Sequence, residues 1–208
     1  MTSAKSIFKI FAMVSMILAM PVFADEDVQD AVDEVAGADF GYREPIPNAF
    51  KFTDEGLAMV KAEREEYAKN LAATANMILT EQALFEDEEL LVDPQKAKPL
   101  MPLIDRLMGL SFQLAPRMRA PVLINHQFRK GMVAKHYKPE IARHSLASLM
   151  QMRAIQLLDI GGAENELLAG CFLDLSVALD PQNEDAIFSL EMLRMDKKTA
   201  DWRAVWVK

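Results

Sequence analysis

The chain has 208 residues, 51% of them hydrophobic and 26% charged, a formal net charge of −8 and a single cysteine. An acidic balance of that size repels nucleic acid and anionic membrane surfaces, so neither is expected as a partner. One cysteine closes no intramolecular disulfide, which leaves the hydrophobic core to hold the fold.

Lys5 and Lys9 form a positive start, Ile10 to Phe23 is an uncharged apolar run, and Val22-Phe23-Ala24 offers small residues where signal peptidase cuts. Residues 1–24 are therefore read as a cleaved signal peptide, and the protein as exported to the periplasm or the exterior, with no integral membrane span after cleavage. An uncleaved anchor is the competing reading, but it needs about 20 apolar residues, and this run is shorter and contains Pro21. Cleavage removes two lysines and no acid, so the formal charge moves from −8 to −10. The remaining chain is long enough to bury roughly 70% of its unfolded surface.

Residues 25–52 hold eight acids among small residues such as Ala36, Gly37 and Ala38. So little apolar surface does not offset the entropy of ordering, and a disordered, flexible acidic leader is expected. Its last part, with Tyr42, Pro45, Ile46, Pro47 and Phe50, has an alternative as an extended strap over a helical surface.

From Thr53 the text changes to helical periods, giving a helical, repeat-like domain over 53–208. Leu57, Val60, Tyr67, Leu71, Ala75, Ile78 and Leu79 predict one long helix over 54–84. An acidic turn at Glu86 to Glu89 precedes Pro94 and Pro99. A second helix restarts near Ala97 and stops before Pro116, with Leu100, Leu103, Ile104, Leu107, Met108 and Leu114 on one face. A third runs from Pro121 to Gly131; a brief strand at Val122-Leu123-Ile124 is the alternative, without a visible partner strand. Pro139 starts a helix carrying Leu146, Leu149, Met150, Ala154, Leu157 and Leu158, closed by Gly161-Gly162. The next carries Leu168, Cys171, Phe172, Leu175 and Leu179 and ends at Asp180-Pro181. Asn183 caps a further helix with Ile187, Leu190 and Leu193 on its apolar face. The expectation is an all-α protein of six or seven helices in stacked antiparallel hairpins.

The stretch Ala178-Leu179-Asp180-Pro181-Gln182-Asn183-Glu184-Asp185-Ala186-Ile187-Phe188-Ser189-Leu190 resembles the junction between two tetratricopeptide repeats. Ala169 matches the small residue early in that family's second helix, Ser176 stands where another alanine is usual, and Asp201-Trp202-Arg203-Ala204 is similar to the start of a further second helix. Glu191 and Arg194 depart from the usual glycine and aromatic residue. The resemblance covers residues 145–208 and implies tetratricopeptide-like packing in a protein-binding scaffold, and for an exported chain a role in envelope assembly, secretion or scaffolding. It transfers no groove residue, since the family's peptide-clamping positions have no equivalents here.

A basic window lies inside the acidic chain: Arg117, Arg119, Arg129, Lys130, Lys135, Lys138 and Arg143, with all three histidines and Glu140 as its acid. As candidate partner-binding residues, Arg117, Arg119, Arg129, Lys130, Lys135 and Arg143 would meet an acidic protein or, as the alternative function, a small anionic ligand. The plainer reading is neutralisation of the acidic leader or of the Glu86–Glu89 turn within the same molecule. His126, His136 and His144 lack metal-ligand spacing, the methionines are scattered and read as core filler, and Cys171 sits on an apolar stripe as an inert thiol. No hydrolase elbow, phosphate loop, zinc-protease helix or paired-cysteine motif appears. A non-catalytic protein-binding or scaffold protein of the cell envelope, without metal or cofactor, is the expectation.

Overall fold

A computed structural model describes residues 41–47, 52–86 and 89–207, all within one compact unit spanning 37–208. The expected signal peptide and most of the expected leader lie outside the described residues. The elements are β1 (Ile46–Pro47), α1 (Lys61–Thr80), β2 (Ala83–Glu86), β3 (Glu89–Val92), α2 (Pro94–Ala97), a 3-10 turn (Lys98–Leu100), α3 (Met101–Leu114), α4 (Arg119–Arg129), α5 (Arg143–Ile160), α6 (Ala163–Leu179), α7 (Glu184–Met195), α8 (Trp202–Val205) and β4 (Trp206–Val207). The class is all-α, with helical hairpins around one core.

Two layers of helix pairing build that core. α1 packs on α3 and α4, and α5 and α6 form an antiparallel hairpin on which α7 lies. Gly161 and Gly162, at φ 75° and 96°, make the hairpin's turn with backbone angles that cost a side-chain-bearing residue energy. Leu71, Ile104, Leu107, Phe128, Met150 and Phe172 are fully buried at the contacts between helices. Tyr67 and Phe172, with ring centroids 4.8 Å apart, join α1 to α6. Two serines use the same device. Ser111 of α3 donates to the Ala68 carbonyl of α1, and Ser176 of α6 to the Ala147 carbonyl of α5, both at 2.7 Å. At these close crossings a hydroxyl is small enough to fit and finds a carbonyl, so Ser176 serves where the resemblance would have alanine.

The first long helix is shorter than its periodicity predicts, beginning at Lys61 and ending at Thr80. Residues 53–59 are drawn off by the start of α6. Glu164 accepts from the Thr53 amide and hydroxyl at 2.7 and 2.8 Å, and Asn165 accepts from the Ala58 amide at 2.8 Å. Arg64 donates to the Phe52 carbonyl and to Asp54, fixing the same segment from the α1 side. Leu57 and Met59 are thereby buried instead of continuing a helix.

Beyond α1 the chain forms a β-hairpin, pairing Ala83 with Val92 and Glu86 with Glu89. Strands were not expected here; the runs on either side of the acidic turn pair with each other, the partner that a lone-strand argument overlooks. The segment expected to restart near Ala97 instead opens at Pro94, where Asp93 caps the Gln95 amide at 2.9 Å. The helix expected from Pro139 begins at Arg143, because Glu140 is held outside it by Lys69 and by Asn70, which accepts from its amide at 3.2 Å.

Within residues 25–52, the described part 41–47 takes the extended-strap course. Tyr42 is buried, its ring meets Phe128 edge-on at 5.2 Å, and its hydroxyl donates to Asn125 at 2.7 Å. Ile46 and Pro47 then pair antiparallel with Val207 and Trp206. The chain returns to that point through α8, which Asp201 caps by accepting from the Arg203 and Ala204 amides. Asp174 of α6 holds the return, bonding Arg106 at 2.7 Å and the Trp202 indole N–H at 2.9 Å, while Arg106 stacks over Trp202.

Candidate interaction surfaces

The carboxy-terminal helices carry the clearest outward chemistry. On α6 the predicted stripe is the packed face, with Leu168, Cys171, Phe172 and Leu175 fully buried and Leu179 nearly so. α7 is apolar on two sides. Ala186, Leu190 and Leu193 are buried against the stack, whereas Phe188 is 67% exposed, Met195 75% and Met192 44%. Ile187, expected on the packed face, is also left part-exposed. α5, its neighbour, buries Leu146, Met150, Ala154 and Leu157 and turns Leu149, Met152, Ile155 and Ile160 outward. Leu149 is a second correction to the predicted face.

Both helices therefore present apolar side chains to solvent. Sequence reasoning missed these outward stripes because it sought one face per helix. The signal was present: 188, 192 and 195 repeat at four and three residues alongside the inner set 186, 190 and 193.

The basic window does not gather into one site. Arg119, His126, Arg129 and Lys130 are exposed along and just beyond α4, with Arg117 in the turn before it. Lys135 and Lys138 lie exposed on the loop that Asn76 and Asn70 pin beside α1, and Arg143 opens α5. Arg129 pairs with Glu44 of the strap at 3.4 Å, and Glu44 also accepts from Asn125 at 2.9 Å. That one contact fits the intramolecular reading. Among the described residues, Arg117, Arg119, Lys130, Lys135, Lys138 and Arg143 make no ion pair within 4.0 Å.

The remaining candidates are structural in their surroundings. Cys171 is completely buried, and burial, reinforced by Asp174 and Asp201, pushes its thiol far above the usual range. Among the described residues no group of three His, Cys, Asp or Glu could hold a metal ion, and no helix is long and apolar enough to cross a membrane. An open cleft of about 500 Å³ runs between residues 54–63 and Arg153. Arg153 is committed there, donating to the Ala58 carbonyl and meeting Glu63 at 2.7 Å. The cleft thus joins α5 to the segment before α1.

Compared with known proteins, the chain matches no family model, no curated protein and no solved structure.

Proposed function

We propose that this chain is an exported, non-catalytic protein-binding or scaffold protein of the cell envelope. The observation that carries the reading is the pair of neighbouring helices α5 and α7, each turning apolar side chains outward from an otherwise buried stack. Isolated exposed apolar residues are ordinary, but grouped ones mark contact surfaces. Export rests on the character of residues 1–24, and the tetratricopeptide-like junction at Leu179-Asp180-Pro181 adds the analogy of a hairpin stack that holds other proteins. The non-catalytic part rests on the lack of a catalytic motif in the sequence. Capture of a small anion by the basic window has weaker support, since its residues spread over α4, the 131–142 loop and the start of α5.

Photo-crosslinking from position 152 in intact cells tests the proposal. One defined envelope protein should be recovered in stoichiometric yield, and lost when Leu149→Asp and Ile155→Asp are added together on the same exposed face. Recovery unchanged by that pair, or no partner at all, overturns it.

A further inference from the structure

We propose that the outer face of α7 is the docking site for a second copy of this chain, with the two α7 helices lying antiparallel. The inference rests on the reading that outward apolar faces are contact surfaces, and names the occupant of one of them.

Three observations point to it. Phe188, Met192 and Met195 recur at four- and three-residue spacing, the repeat of a two-helix seam, and are exposed apolar residues of a helix already packed on its other side. The chain leaves this face after α7: Lys197, at φ 59°, reverses direction, and residues 200–206 return over α6 and α3, where Ala200 meets Gly170 and Trp206 meets Gly109. Charge then selects partner and orientation. α7 opens with Glu184 and Asp185 and closes with Arg194, Lys197 and Lys198 around Asp196. A two-fold axis sets each copy's residue i against j and j against i, so an antiparallel pair brings each acidic start to a basic end, while a parallel pair opposes like charges. Glu191 pairs with Arg194 and Lys198 with Glu166 at 3.2 Å, but both pairs are solvent-exposed and free to exchange partners.

A helix of 12 residues is about 18 Å long, so this seam covers less than the roughly 800 Å² per partner of a standard interface, and association is weak. Sedimentation equilibrium of the whole chain, expressed with its amino-terminal segment and referred to the mass of the same sample denatured, tests it. The mass should rise from monomer towards dimer between about 1 and 300 μM. Phe188→Asp with Met195→Asp should stay monomeric throughout, at unchanged helicity and Tm because both positions are exposed. Met152→Asp with Ile155→Asp should dimerise like the parent, and Glu184→Lys with Asp185→Lys should weaken the dimer about tenfold.

A parent that stays monomeric overturns the inference, as does a dimer that survives the α7 double substitution or is lost with the α5 one. A dimer found where no other envelope protein is captured leaves the inference standing while the scaffold reading falls.

Discussion

Asn76 and Ala134, on α1 and on the loop after α4, exchange two hydrogen bonds: the Asn76 amide nitrogen donates to the Ala134 carbonyl at 2.9 Å, and its oxygen accepts from the Ala134 amide at 2.8 Å. The same nitrogen also reaches the Tyr137 carbonyl at 2.9 Å. A single buried side chain thus supplements the loop's own backbone bond from the Tyr137 amide to the Ala134 carbonyl at 3.3 Å and ties the loop to α1.

Asn76→Ala removes all three bonds and leaves the Ala134 amide without a partner in the interior, while the Ala134 carbonyl keeps the Tyr137 amide at 3.3 Å. The expected loss is about 3 kcal/mol, from the cost of unsatisfied buried groups. Asn76→Asp keeps the acceptor but places a carboxylate beside two carbonyls, and should be at least as damaging. Urea denaturation of the three proteins checks the order; an alanine variant as stable as the parent would show that water replaces the amide.

Leu175→Asp should unfold the carboxy-terminal hairpins, since that fully buried position offers a charge no partner. Pro181→Ala should leave the fold intact, because Pro181 is exposed and follows a helix already ended at Leu179. Circular dichroism during heating separates them, and a Leu175 variant melting like the parent would mean that α6 is turned differently.

Cys171 should resist iodoacetamide and aromatic disulfides as long as the native state persists, then react at the rate of global unfolding. Its thiol is buried and its ionisation is held well above neutral pH. Rapid labelling without denaturant would reveal an opening of α6 independent of the rest.

Tyr67 is pushed up to about 12, chiefly by burial and then by Glu63, and its hydroxyl donates to the Leu149 carbonyl at 3.3 Å. In the unfolded chain the same phenol ionises near its ordinary value of 10.0. The folded state therefore retains a proton that the unfolded state releases, so this contribution to stability is complete below pH 10 and is lost as pH rises from 10 towards 12. Tyr67→Phe should flatten the fall in stability across that window. An unchanged slope would locate the alkaline sensitivity elsewhere.

Gly109→Ala should loosen the end of the chain, because a methyl group there would occupy the space of the Trp206 ring. A red-shifted indole emission with little loss of helicity is expected, and an unshifted emission would show that α3 can yield instead.

The fold was legible where the controlling contacts are local. α6 and α7 could be placed because Asn183, which accepts from the Ala186 amide at 3.0 Å, and Asp180-Pro181 act within one turn of their own positions. The start of α1 was not, because the groups that divert residues 53–58 are Glu164 and Asn165, over 100 positions away. Tyr42 belongs to the same case: its aromatic ring suggested a strap, but its place is set by groups distant in sequence, Asn125 and Phe128 among them. The basic window could be read as composition but not as geometry, since its residues follow the chain around α4 and α1 and converge on no one point. The outward stripe on α7 was written in the spacing, yet an apolar residue looks the same in sequence whether it faces core or solvent.

The antiparallel pairing of Ile46 with Val207 has a consequence for the order of assembly. It joins segments near opposite ends of the described chain, so it closes the longest loop available to the fold and comes after the helical hairpins, whose contacts are nearer in sequence. A chain emerging amino-terminus first carries the strap unclasped until residue 207 is made. The clasp thus closes last: a chain cut before residue 206 keeps Tyr42 on Asn125 and Phe128 but leaves Ile46 and Pro47 unpaired, where proteases reach them first.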